Sequence, residues 1–536
     1  MAAGKPSGLG ARTDEGWVYA VQFLPDPPDK TGQTDYTREI QAAIDAAAGK
    51  TLLLPDFPIL TSQVSGGDYC LIAKQALYLF GTRNSELRTQ SDNSILLLVD
   101  STDPNVRLED VYLEGICFRG NGTASKDVLG KGLVQINHVD KVRVERVTVR
   151  DGDVDGLALH QCSEVRVIGC TMIHNAKSSI YPNNSQDVIV EGNTVRGFGG
   201  YISNGHLLGT GIALSSNDGM ICVNNQVYDG TGVGINVFTV IGVLARNYVI
   251  SGNVVRNIKN PQNTSHAAGI NMDTPVTSQN TVVAQNLVTG CGNYNFRFAN
   301  QTGVLLAANL SANSLNTNVS LLDVKDSLLQ GNLLLNSGTE NLPGQYAVSL
   351  AGTTDQVWVR NNYIRNPCSA TAFGTPAIID FSAANGEVNL MGQRAFLVFD
   401  GTQSLPNDQW TPVAFGTVVE DPLLLWDAAK TGFVIRQGIT QVTVTANAAF
   451  AAISSGSRSM ALWVNGAPVP ETPQVSLASG GLLTLNLKSS VFTVGANDLV
   501  QVAAFQDSGT SLDLLPGDTT WVELKIPFPN EVIPGR

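Results

Sequence analysis

The sequence is poor in charged residues and contains no long apolar segment. Charged side chains make up 15% of the 536 residues, and the acidic excess gives a formal net charge of −13. Recognition of a phosphate backbone needs a basic surface, so this balance argues against nucleic acid and against an anionic membrane as partners. No run approaches the roughly 18 apolar residues of a membrane-spanning helix. The N-terminal stretch shows no secretory signal, because it lacks an apolar core.

Cysteine is also scarce, and its spacing fits neither a disulfide framework nor a metal site. The seven cysteines are an odd number, and none of them forms a CxxC pair. A free cysteine inside a protein packs as a small apolar side chain. We therefore expect buried free thiols, synthesis in a reducing cytoplasm, and no bound metal or other cofactor.

What the sequence does contain is a motif that recurs along its middle: an asparagine, one further residue and then an aliphatic residue. The copies, together with two earlier segments in the same frame, lie at Val147, Cys170, Asn193, Asn225, Asn253, Asn286, Asn309, Asn332 and Asn362. Several successive copies are 23 residues apart. A fixed period in this range indicates a repeat architecture. Because each unit holds short strands rather than helices, the predicted unit is one coil of a parallel β-solenoid.

The stacked asparagines have a structural explanation, since their amides can satisfy turn backbone groups that water cannot reach. A second column, made of aliphatic or aromatic residues, runs alongside the first. The two columns are 10 residues apart between Cys170 and Ile180, but 19 apart between Asn193 and Ile212. The extra residues enter mainly at one corner of the coil. They are predicted to form a row of loops along one flank.

The segments before and after the repeat have sequence patterns that differ from those of the repeat and from each other. A helix capped by Asp35 or Thr37 and ended by Gly49 is predicted to cover the first coil. After the repeat, short alternating strands predict an antiparallel sandwich or jelly roll. The predicted divisions are an arm or linker at residues 1–33, the capping helix with irregular first coils at 34–105, and the regular coils at 106–385. A linker at 386–409 and the C-terminal domain at 410–536 follow.

The segments TDYTREIQAAIDAAAGKTLLLP and LYLFGTRNSELR, with the asparagine coils, resemble pectate-lyase-like right-handed β-helix proteins. Among these the chain looks most like bacteriophage tailspikes and capsule depolymerases, over about residues 34–385. The stretches FVIRQGITQVTVTA, RSMALWVNG, VGANDLVQV and TTWVEL are similar to trimeric jelly rolls of the complement globular-head type. Neither the galacturonase motifs nor the calcium-binding aspartates of true pectate lyases are present as a set. No family catalytic residue is therefore carried over.

The resemblance implies an all-β homotrimer that binds and cleaves bacterial surface polysaccharide, such as capsule, exopolysaccharide or O-antigen. It further implies a component of the phage virion, whose N-terminal arm attaches to a tail or baseplate protein. Such a protein is made in the host cytoplasm and acts outside the cell, at the bacterial surface. A receptor-binding fibre that never cuts is the inert alternative.

Two histidines occupy equivalent places in the long corner insertions. His206 lies 13 residues after Asn193, and His266 lies 13 residues after Asn253. The coil between them has no insertion at this corner and reads DGTGVGIN, with Asp229 at its start. The two insertions, with the short turn of the coil between them, predict a groove that could hold an extended polymer. As structural residues, the histidines would be polar loop side chains, and Asp229 would form a turn.

One flank of the solenoid is predicted to present a mixed set of polar and aromatic groups. The outward position next to the second column holds Tyr181, Asn236, Asn271 and Arg297 on different coils, and Asp273 follows two residues after Asn271. Stacked coils repeat every ~4.8 Å. These groups offer a ring for stacking, amides for sugar hydroxyls, and charge near a scissile bond.

The densest run of carboxylates is DGDVDG at 151–156, with His160 shortly after it and Lys177 on the next coil. As functional residues, Asp155, His160 and Lys177 would contact substrate. As structural residues they would form a polar turn or a weak cation site.

Two chemistries fit these residues, and hydrolysis is the preferred hypothesis. It needs two carboxyl groups ~5–9.5 Å apart, for which Asp229 is the first candidate and Asp273 its partner, unless an adjacent subunit supplies one. β-Elimination on a uronate-containing polymer is the alternative. In that case His206 or His266 would be the base, Tyr181 the acid and Arg297 the neutralising cation.

Overall fold

The computed structural model describes most of the chain from residue 16 to residue 527. The described ranges are 16–92, 94–101, 103, 105–122, 131–203, 206–215, 218–239, 246–260, 267–337, 346–365, 379–384, 388–389, 394–421, 423, 425–436, 439–470, 472–477 and 480–527. The chain divides into two compact units, residues 1–320 and 321–536.

The first unit is built from coils of three strands, and each strand pairs in parallel with its counterparts on the neighbouring coils. In one coil, Ser178–Asn183 lies on what we name face A, Gln186–Glu191 on face B and Thr194–Arg196 on face C. Each pairs with the next coil in unbroken register. The parallel β-solenoid predicted from the repeat is therefore confirmed.

The strands of the first unit follow this plan along most of its length. Face A consists of Tyr69–Ala73, Ile95–Val99, Gly132–Asn137, Asp155–His160, Ser178–Asn183, Thr210–Ser215, Val233–Phe238 and the first parts of Ala268–Ala284 and Tyr294–Ala307. Face B consists of Trp17–Tyr19, Thr51–Leu53, Leu77–Phe80, Val111–Glu114, Val142–Glu145, Val165–Ile168, Gln186–Glu191, Asp218–Val223, Arg246–Ser251 and the later parts of the same two long strands. Face C consists of Pro58–Thr61, Glu86–Thr89, Cys117–Arg119, Thr148–Arg150, Thr171–Ile173, Thr194–Arg196, Gln226–Tyr228, Val254–Arg256, Leu287–Thr289 and Leu310–Ala312. The strand Thr317–Leu322 spans the boundary between the units.

The core of the first unit is the column of aliphatic and aromatic residues predicted on face A, together with the inward residues of the other faces. Successive strands align in the order Leu157, Ile180, Ile212, Ile235, Ile270 and Phe296. All six are fully buried. Burial of large apolar side chains stabilises a fold by ~1.5–3 kcal/mol each, so this column is a continuous source of stability along the solenoid.

The asparagine column forms a hydrogen-bonded ladder at the corner between faces B and C. The backbone N–H and the side-chain amide of Asn193 both donate to Oδ1 of Asn225, at 3.0 and 2.9 Å. Asn225 repeats this pattern with Asn253, and the series continues through Asn286 to Asn309. Each side chain also donates to a backbone carbonyl, as Asn225 does to Val190 at 3.0 Å. The buried turns therefore have their polar groups satisfied from coil to coil.

The predicted capping helix covers one end of face A. The helix Thr37–Ala46 buries Ile40, Ala43 and Ile44, and the Asp35 carboxylate accepts the backbone N–H of Thr37 at 2.9 Å. Its Gln41 amide donates to the Ile72 carbonyl and accepts from the Ile72 N–H, at 2.8 and 2.9 Å. A side chain thus replaces the missing strand at an otherwise open sheet edge. Among the described residues, no helix is long and apolar enough to cross a membrane.

The cysteines in the described residues are free thiols, as predicted. Five of them are buried and Cys117 is partly buried, whereas Cys368 lies outside the described residues. Burial raises the pKa of Cys222 and Cys291 to about 12. These side chains therefore act as small apolar core residues and not as nucleophiles.

The second unit begins with parallel strands of the same kind and continues with antiparallel sheets. Its parallel strands are Lys325–Gln330, Leu333–Leu335, Val348–Gly352, Asp355–Arg360, Tyr363–Arg365, Ile379–Ala384 and Val388–Asn389. The Asn332 N–H and side-chain amide donate to Asn362 Oδ1 at 3.0 and 2.8 Å, so the ladder pattern recurs in this unit. The jelly roll expected here stays a prediction beyond its antiparallel strands.

Two antiparallel sheets make up the rest of the second unit. One contains Arg394–Phe399, Gln403–Leu405, Thr417–Glu420, Gln441–Phe450, Leu483–Lys488, Phe492–Thr493, Leu512–Leu514 and Gly517–Lys525. The other contains Thr411–Pro412, Trp426–Asp427, Gly432–Val434, Ser457–Val464, Ala467–Pro468, Gln474–Leu477 and Leu499–Gln506. In the first sheet Arg394–Phe399, most of Gln441–Phe450 and the later part of Gly517–Lys525 alternate buried and outward residues, as the sequence pattern predicted. In the second sheet Ser457–Val464 and Leu499–Gln506 each bury five residues in a row.

Replacing Asn225 with alanine tests the structural role of the ladder. Asn225 is fully buried, and its loss leaves the Asn193 N–H and the Val190 carbonyl without this partner. Each buried polar group that loses its bond costs ~1–3 kcal/mol, so we expect a loss of about 3 kcal/mol or more. The urea midpoint of the variant should fall clearly below that of Gln226→Ala, which changes an exposed neighbour. Equal midpoints for the two variants would show that the ladder is not stabilising.

Candidate functional site

The long insertion after Asn193 lies at the corner between faces C and A. It forms an antiparallel hairpin of Tyr201–Ser203 and His206–Leu208, in which His206 pairs with Ser203. The chain then enters face A at Thr210–Ser215. The second predicted wall residue, His266, lies outside the described residues. The insertion corner is therefore adjacent to face A, as the predicted groove requires.

The base of the hairpin packs tightly against the turn of the following coil. A Cβ on Gly230 would lie 2.0 Å from the Phe198 ring, and one on Gly232 would lie 2.1 Å from the Gly209 carbonyl oxygen. Gly232 also has a φ of +115°, which L side chains rarely adopt. Gly230 and Gly232 are therefore needed to seat the base of the hairpin.

Asp229 lies at the first position of this turn, at the end of face C. It is exposed, has a φ of 54°, and accepts a hydrogen bond from Asn257 Nδ2 at 3.0 Å. His174 and Asn257 occupy the same place in other coils and have φ values of 53° and 55°. Aspartate and asparagine tolerate this left-handed conformation better than most residues. The turn-forming role considered for Asp229 thus has a direct structural basis.

The structure does not bring Asp229 and Asp273 together. Asp229 precedes face A, whereas Asp273 lies near the far end of the face A part of its strand, one coil further on. The intervening strand Val233–Phe238 has six residues, which span about 16 Å or more with the turn. Two carboxylates of one glycosidase site lie ~5–9.5 Å apart. These two aspartates are therefore not arranged as such a pair within one chain.

The predicted amide, guanidinium and carboxylate groups of face A do come together. Asn236, Asn271 and Arg297 are consecutive in the register of the sheet. The Asn271 amide donates to Asn236 Oδ1 at 2.7 Å, and Arg297 Nη1 donates to Asn271 Oδ1 at 3.1 Å. The same nitrogen donates to Asp273 Oδ2 at 2.6 Å. Asp273 is 44% exposed and Arg297 is 23% exposed, so the network is open to solvent at its carboxylate end.

Aromatic rings continue this network on the coil of Asn236 and on two preceding coils. The His160 ring meets the Tyr181 ring edge to face, with centroids 5.7 Å apart, and Tyr181 stacks on Phe238 at 6.2 Å. Phe238 lies two residues after Asn236 and therefore points to the same side of the strand. We name the continuous surface of His160, Tyr181, Phe238, Asn236, Asn271, Arg297 and Asp273 the face A strip. Phe238 was not predicted from the sequence, although its alternation with Asn236 could have indicated it.

The carboxylate of Asp155 is not part of this surface, which corrects its prediction as a substrate contact. It is fully buried, its Oδ1 accepts the Ser178 N–H at 2.9 Å, and its Oδ2 lies 3.8 Å from Lys177 Nζ. Lys177 Nζ in turn lies 5.9 Å from the centre of the Tyr181 ring. Asp155 therefore holds Lys177 beside Tyr181 and does not itself reach a ligand.

The surroundings of Tyr181 favour its protonated form. Burial raises the pKa of the Tyr181 hydroxyl, and the negative charge of Asp155 raises it further. A phenol that keeps its proton at neutral pH can act as a proton donor. The raised pKa also makes Tyr181 a weaker acid than an ordinary tyrosine, so its proposed role as proton donor rests on its place in the strip and not on this shift.

Comparison with known proteins supports this architecture. Residues 132–319 match the family model described as a right handed beta helix region. This part of the chain is a right-handed β-helix. The right-handed β-helix expected from the resemblance is thereby confirmed. Among curated proteins, no sequence matches the chain significantly.

Several solved structures are similar to the chain. The A-module of mannuronan C-5 epimerase AlgE6 from Azotobacter vinelandii has 17% identity and a TM-score of 0.49, covering 69% of this chain and 97% of its own. A tailspike mutant of E. coli bacteriophage HK620, in complex with a pentasaccharide, has 12% identity and a TM-score of 0.45, covering 96% and 94%. The surface adhesin PfbA of Streptococcus pneumoniae has 14% identity and a TM-score of 0.46, covering 69% and 99%. These likenesses concern the fold alone.

Replacing Asp155 with asparagine tests whether its buried charge lowers the stability of the folded protein. Burial raises the pKa of the Asp155 carboxyl, with Lys177 opposing the shift. A folded pKa above the unfolded value means that stability falls as pH rises past the unfolded pKa of ~3.9. Asp155→Asn should therefore raise the thermal midpoint relative to wild type more at pH 7 than at pH 4.

The exposed substitution Asp229→Asn is the matched control, because it places the same chemical change in a turn where asparagine is also favoured. Its midpoint should stay near that of wild type at both pH values. A larger loss of stability for Asp155→Asn at pH 7 than at pH 4 would contradict the proposed burial cost.

Proposed function

We propose that the chain binds a polysaccharide along the face A strip and cleaves it. The observation that carries this proposal is the continuity of the strip. A stack of three rings adjoins a hydrogen-bonded series of two amides, a guanidinium and a carboxylate. The strip extends over six coils, or about 24 Å at ~4.8 Å per step. An elongated ligand with repeating rings and hydroxyl groups fits such a surface better than a compact ligand does.

Each part of the strip suits a different part of a sugar. Tyr181 and Phe238 offer aromatic faces on which the apolar side of a sugar ring can pack. Asn236, with the buried Asn271 as its hydrogen-bond partner, supplies an amide group for hydroxyls, and Arg297 supplies planar donors for a carboxylate. The hairpin that carries His206 rises beside the same face. The polymer would therefore lie along the solenoid axis, bordered by the insertion corner.

The arrangement favours β-elimination over hydrolysis. Elimination requires a base, a proton donor and a cation beside the uronate carboxylate. Tyr181 keeps its proton, Lys177 lies beside its ring and is the proposed cation at the reacting sugar, and His206 is the base that we propose from the hairpin. Arg297 lies four coils from Tyr181, roughly 19 Å away, and would bind the carboxylate of another sugar of the same polymer. Hydrolysis by Asp229 and Asp273 would require their carboxylates to lie ~5–9.5 Å apart, whereas the intervening strand and turn separate the two residues by about 16 Å or more. The substrate class is accordingly a uronate-containing bacterial surface polysaccharide.

The products of the reaction identify the chemistry. Incubation with capsule and lipopolysaccharide preparations should release fragments with the ultraviolet absorbance of unsaturated uronates. Reducing ends without that absorbance would indicate hydrolysis, and the absence of both would indicate a fibre that binds without cutting. The variant Asp229→Asn provides an independent test. If the reaction is elimination, this variant should still cleave the polymer, whereas hydrolysis through Asp229 predicts that it does not.

Tyr181→Phe is the sharpest variant of the site. It removes the proton donor but keeps the ring that stacks on Phe238, so cleavage should fall about 100-fold or more while binding changes little. Rate and affinity can be measured separately with the same polymer. Tyr363→Phe, at an exposed tyrosine of the second unit, is the matched control and should cut normally. Normal cleavage by Tyr181→Phe would refute its role.

We also propose that the protein acts as a homotrimer attached to a phage tail through its N-terminal arm. Self-association is supported by the edge strand Gln474–Leu477 of the second unit, where Val475 is 66% and Leu477 is 77% exposed. Exposed apolar side chains on an unpaired strand edge are typical of a contact surface. Sedimentation should give three times the chain mass of 56.8 kDa, and a monomer at micromolar concentration would contradict the assembly.

A further inference from the structure

A second row, rich in arginine, runs along the outer surface of face C, and from Arg150 onwards its members stand three residues after successive positions of the asparagine column. Its members in register are Arg88, Arg119, Arg150, Ile173, Arg196, Tyr228 and Arg256. Their inward neighbours, such as Val195, Val227 and Val255, are fully buried. The row therefore points away from the core. Five arginines in one register are unexpected in a chain with a net charge of −13.

The first arginines of the row have structural partners. Arg88 donates to the backbone carbonyls of Thr31 and Gly32. Arg119 and Arg150 both pair with Asp151, at 3.3 and 2.9 Å. Their charges are thus engaged in holding the first coils together, and they leave little for a ligand.

The later arginines are different. Arg196 and Arg256 are both exposed, and within the described ranges neither forms an ion pair with a carboxylate. Tyr228 lies between them in the sheet register. The Arg256 guanidinium lies over the Tyr228 ring, 4.8 Å from its centre. Stacking of this kind orients a guanidinium while leaving its N–H groups free to donate.

The surroundings of this pair complete a surface suited to an acidic sugar. Gln226, on the same strand as Tyr228, is exposed and offers an amide. The nearby charges of Asp229 and Lys259 are of opposite sign, so the two arginines set the local charge. Arg196 and Arg256 are two coils apart, roughly 10 Å. Arg256 covers one face of the Tyr228 ring, so a sugar ring bound beside Tyr228 would have a guanidinium on either side to bind carboxylates.

We propose that Arg196, Gln226, Tyr228 and Arg256 form a second, non-reacting site for a carboxylated polysaccharide. The site lies across the insertion corner from the face A strip. The choice of a polysaccharide as ligand rests on the proposed function, but the site itself does not require cleavage. Arginine binds carboxylates through paired hydrogen bonds, which makes it selective for acidic over neutral polymers. The row thereby tethers an acidic chain beside the surface that cuts it.

Binding can be measured directly with defined polymers. Polygalacturonate, alginate and hyaluronan are the acidic probes, dextran is the neutral one, and double-stranded DNA is a polyanion of another class. Titration calorimetry on full-length Tyr181→Phe protein separates binding from cleavage. We expect binding to at least one acidic polysaccharide, and the double variant Arg196→Gln/Arg256→Gln in the same background should bind about tenfold or more weakly.

Two further double variants sharpen the test. Lys141→Gln/Arg166→Gln removes the same charge from exposed positions elsewhere on the solenoid, and its affinity should stay within about twofold of the parent. Arg196→Lys/Arg256→Lys keeps the charge but loses the paired donors, so its affinity should be intermediate. Arg196, Arg256, Lys141 and Arg166 are all exposed, and thermal midpoints equal to that of the Tyr181→Phe parent confirm folding.

The proposal is overturned by any of three results. These are no binding to the acidic polysaccharides, an equal loss of affinity in the Lys141/Arg166 variant, or tighter binding to DNA than to the polysaccharides. Failure of the proposed cleavage appears separately, as absence of products from the wild-type protein. A protein that binds acidic polymer through Arg196 and Arg256 but releases no fragments would retain this site and lose the proposed reaction.

Discussion

The requirement that buried turns satisfy their backbone polar groups determines how the coils of this protein stack. Asn193, Asn225 and Asn253 meet it by bonding to the next asparagine of the column and to a neighbouring carbonyl at once. This arrangement has one favourable register, because a shift of one residue would move the asparagines out of the corner and the aliphatic column out of the core. Every other row inherits that register and its ~4.8 Å spacing.

Rows of side chains on the outer surface are the functional consequence of a fixed register. Face A gathers residues from distant parts of the sequence, such as Tyr181 and Arg297, into one strip. Face C likewise aligns Arg196 with Arg256 across Tyr228. The insertion hairpin Tyr201–Ser203/His206–Leu208 stands at the corner between the two surfaces. A long polymer could contact both surfaces around that corner, reacting at one and being held at the other.

The sequence predicted the coils, the capping helix and much of the strip, because period and alternation report which way a strand residue points. Asn236, Asn271 and Arg297 were found by this route. Local conformation and burial were not accessible in the same way. The sequence does not show whether Asp229 forms an exposed, left-handed turn or is a catalytic residue at the bottom of a groove. It also does not show that the Asp155 side chain is buried next to Lys177. The arginine row could have been found by counting three residues from each asparagine.

The central claim is that a polysaccharide lies along the face A strip, and a crystal structure with a bound oligosaccharide tests it most directly. The ligand should be a fragment of the polymer that the protein cuts, bound to Tyr181→Phe protein to prevent turnover. We predict sugar rings packed on Phe238 and the residue 181 ring, with a carboxylate at Arg297. Oligosaccharide bound only on face B, with the strip left empty, would contradict the account.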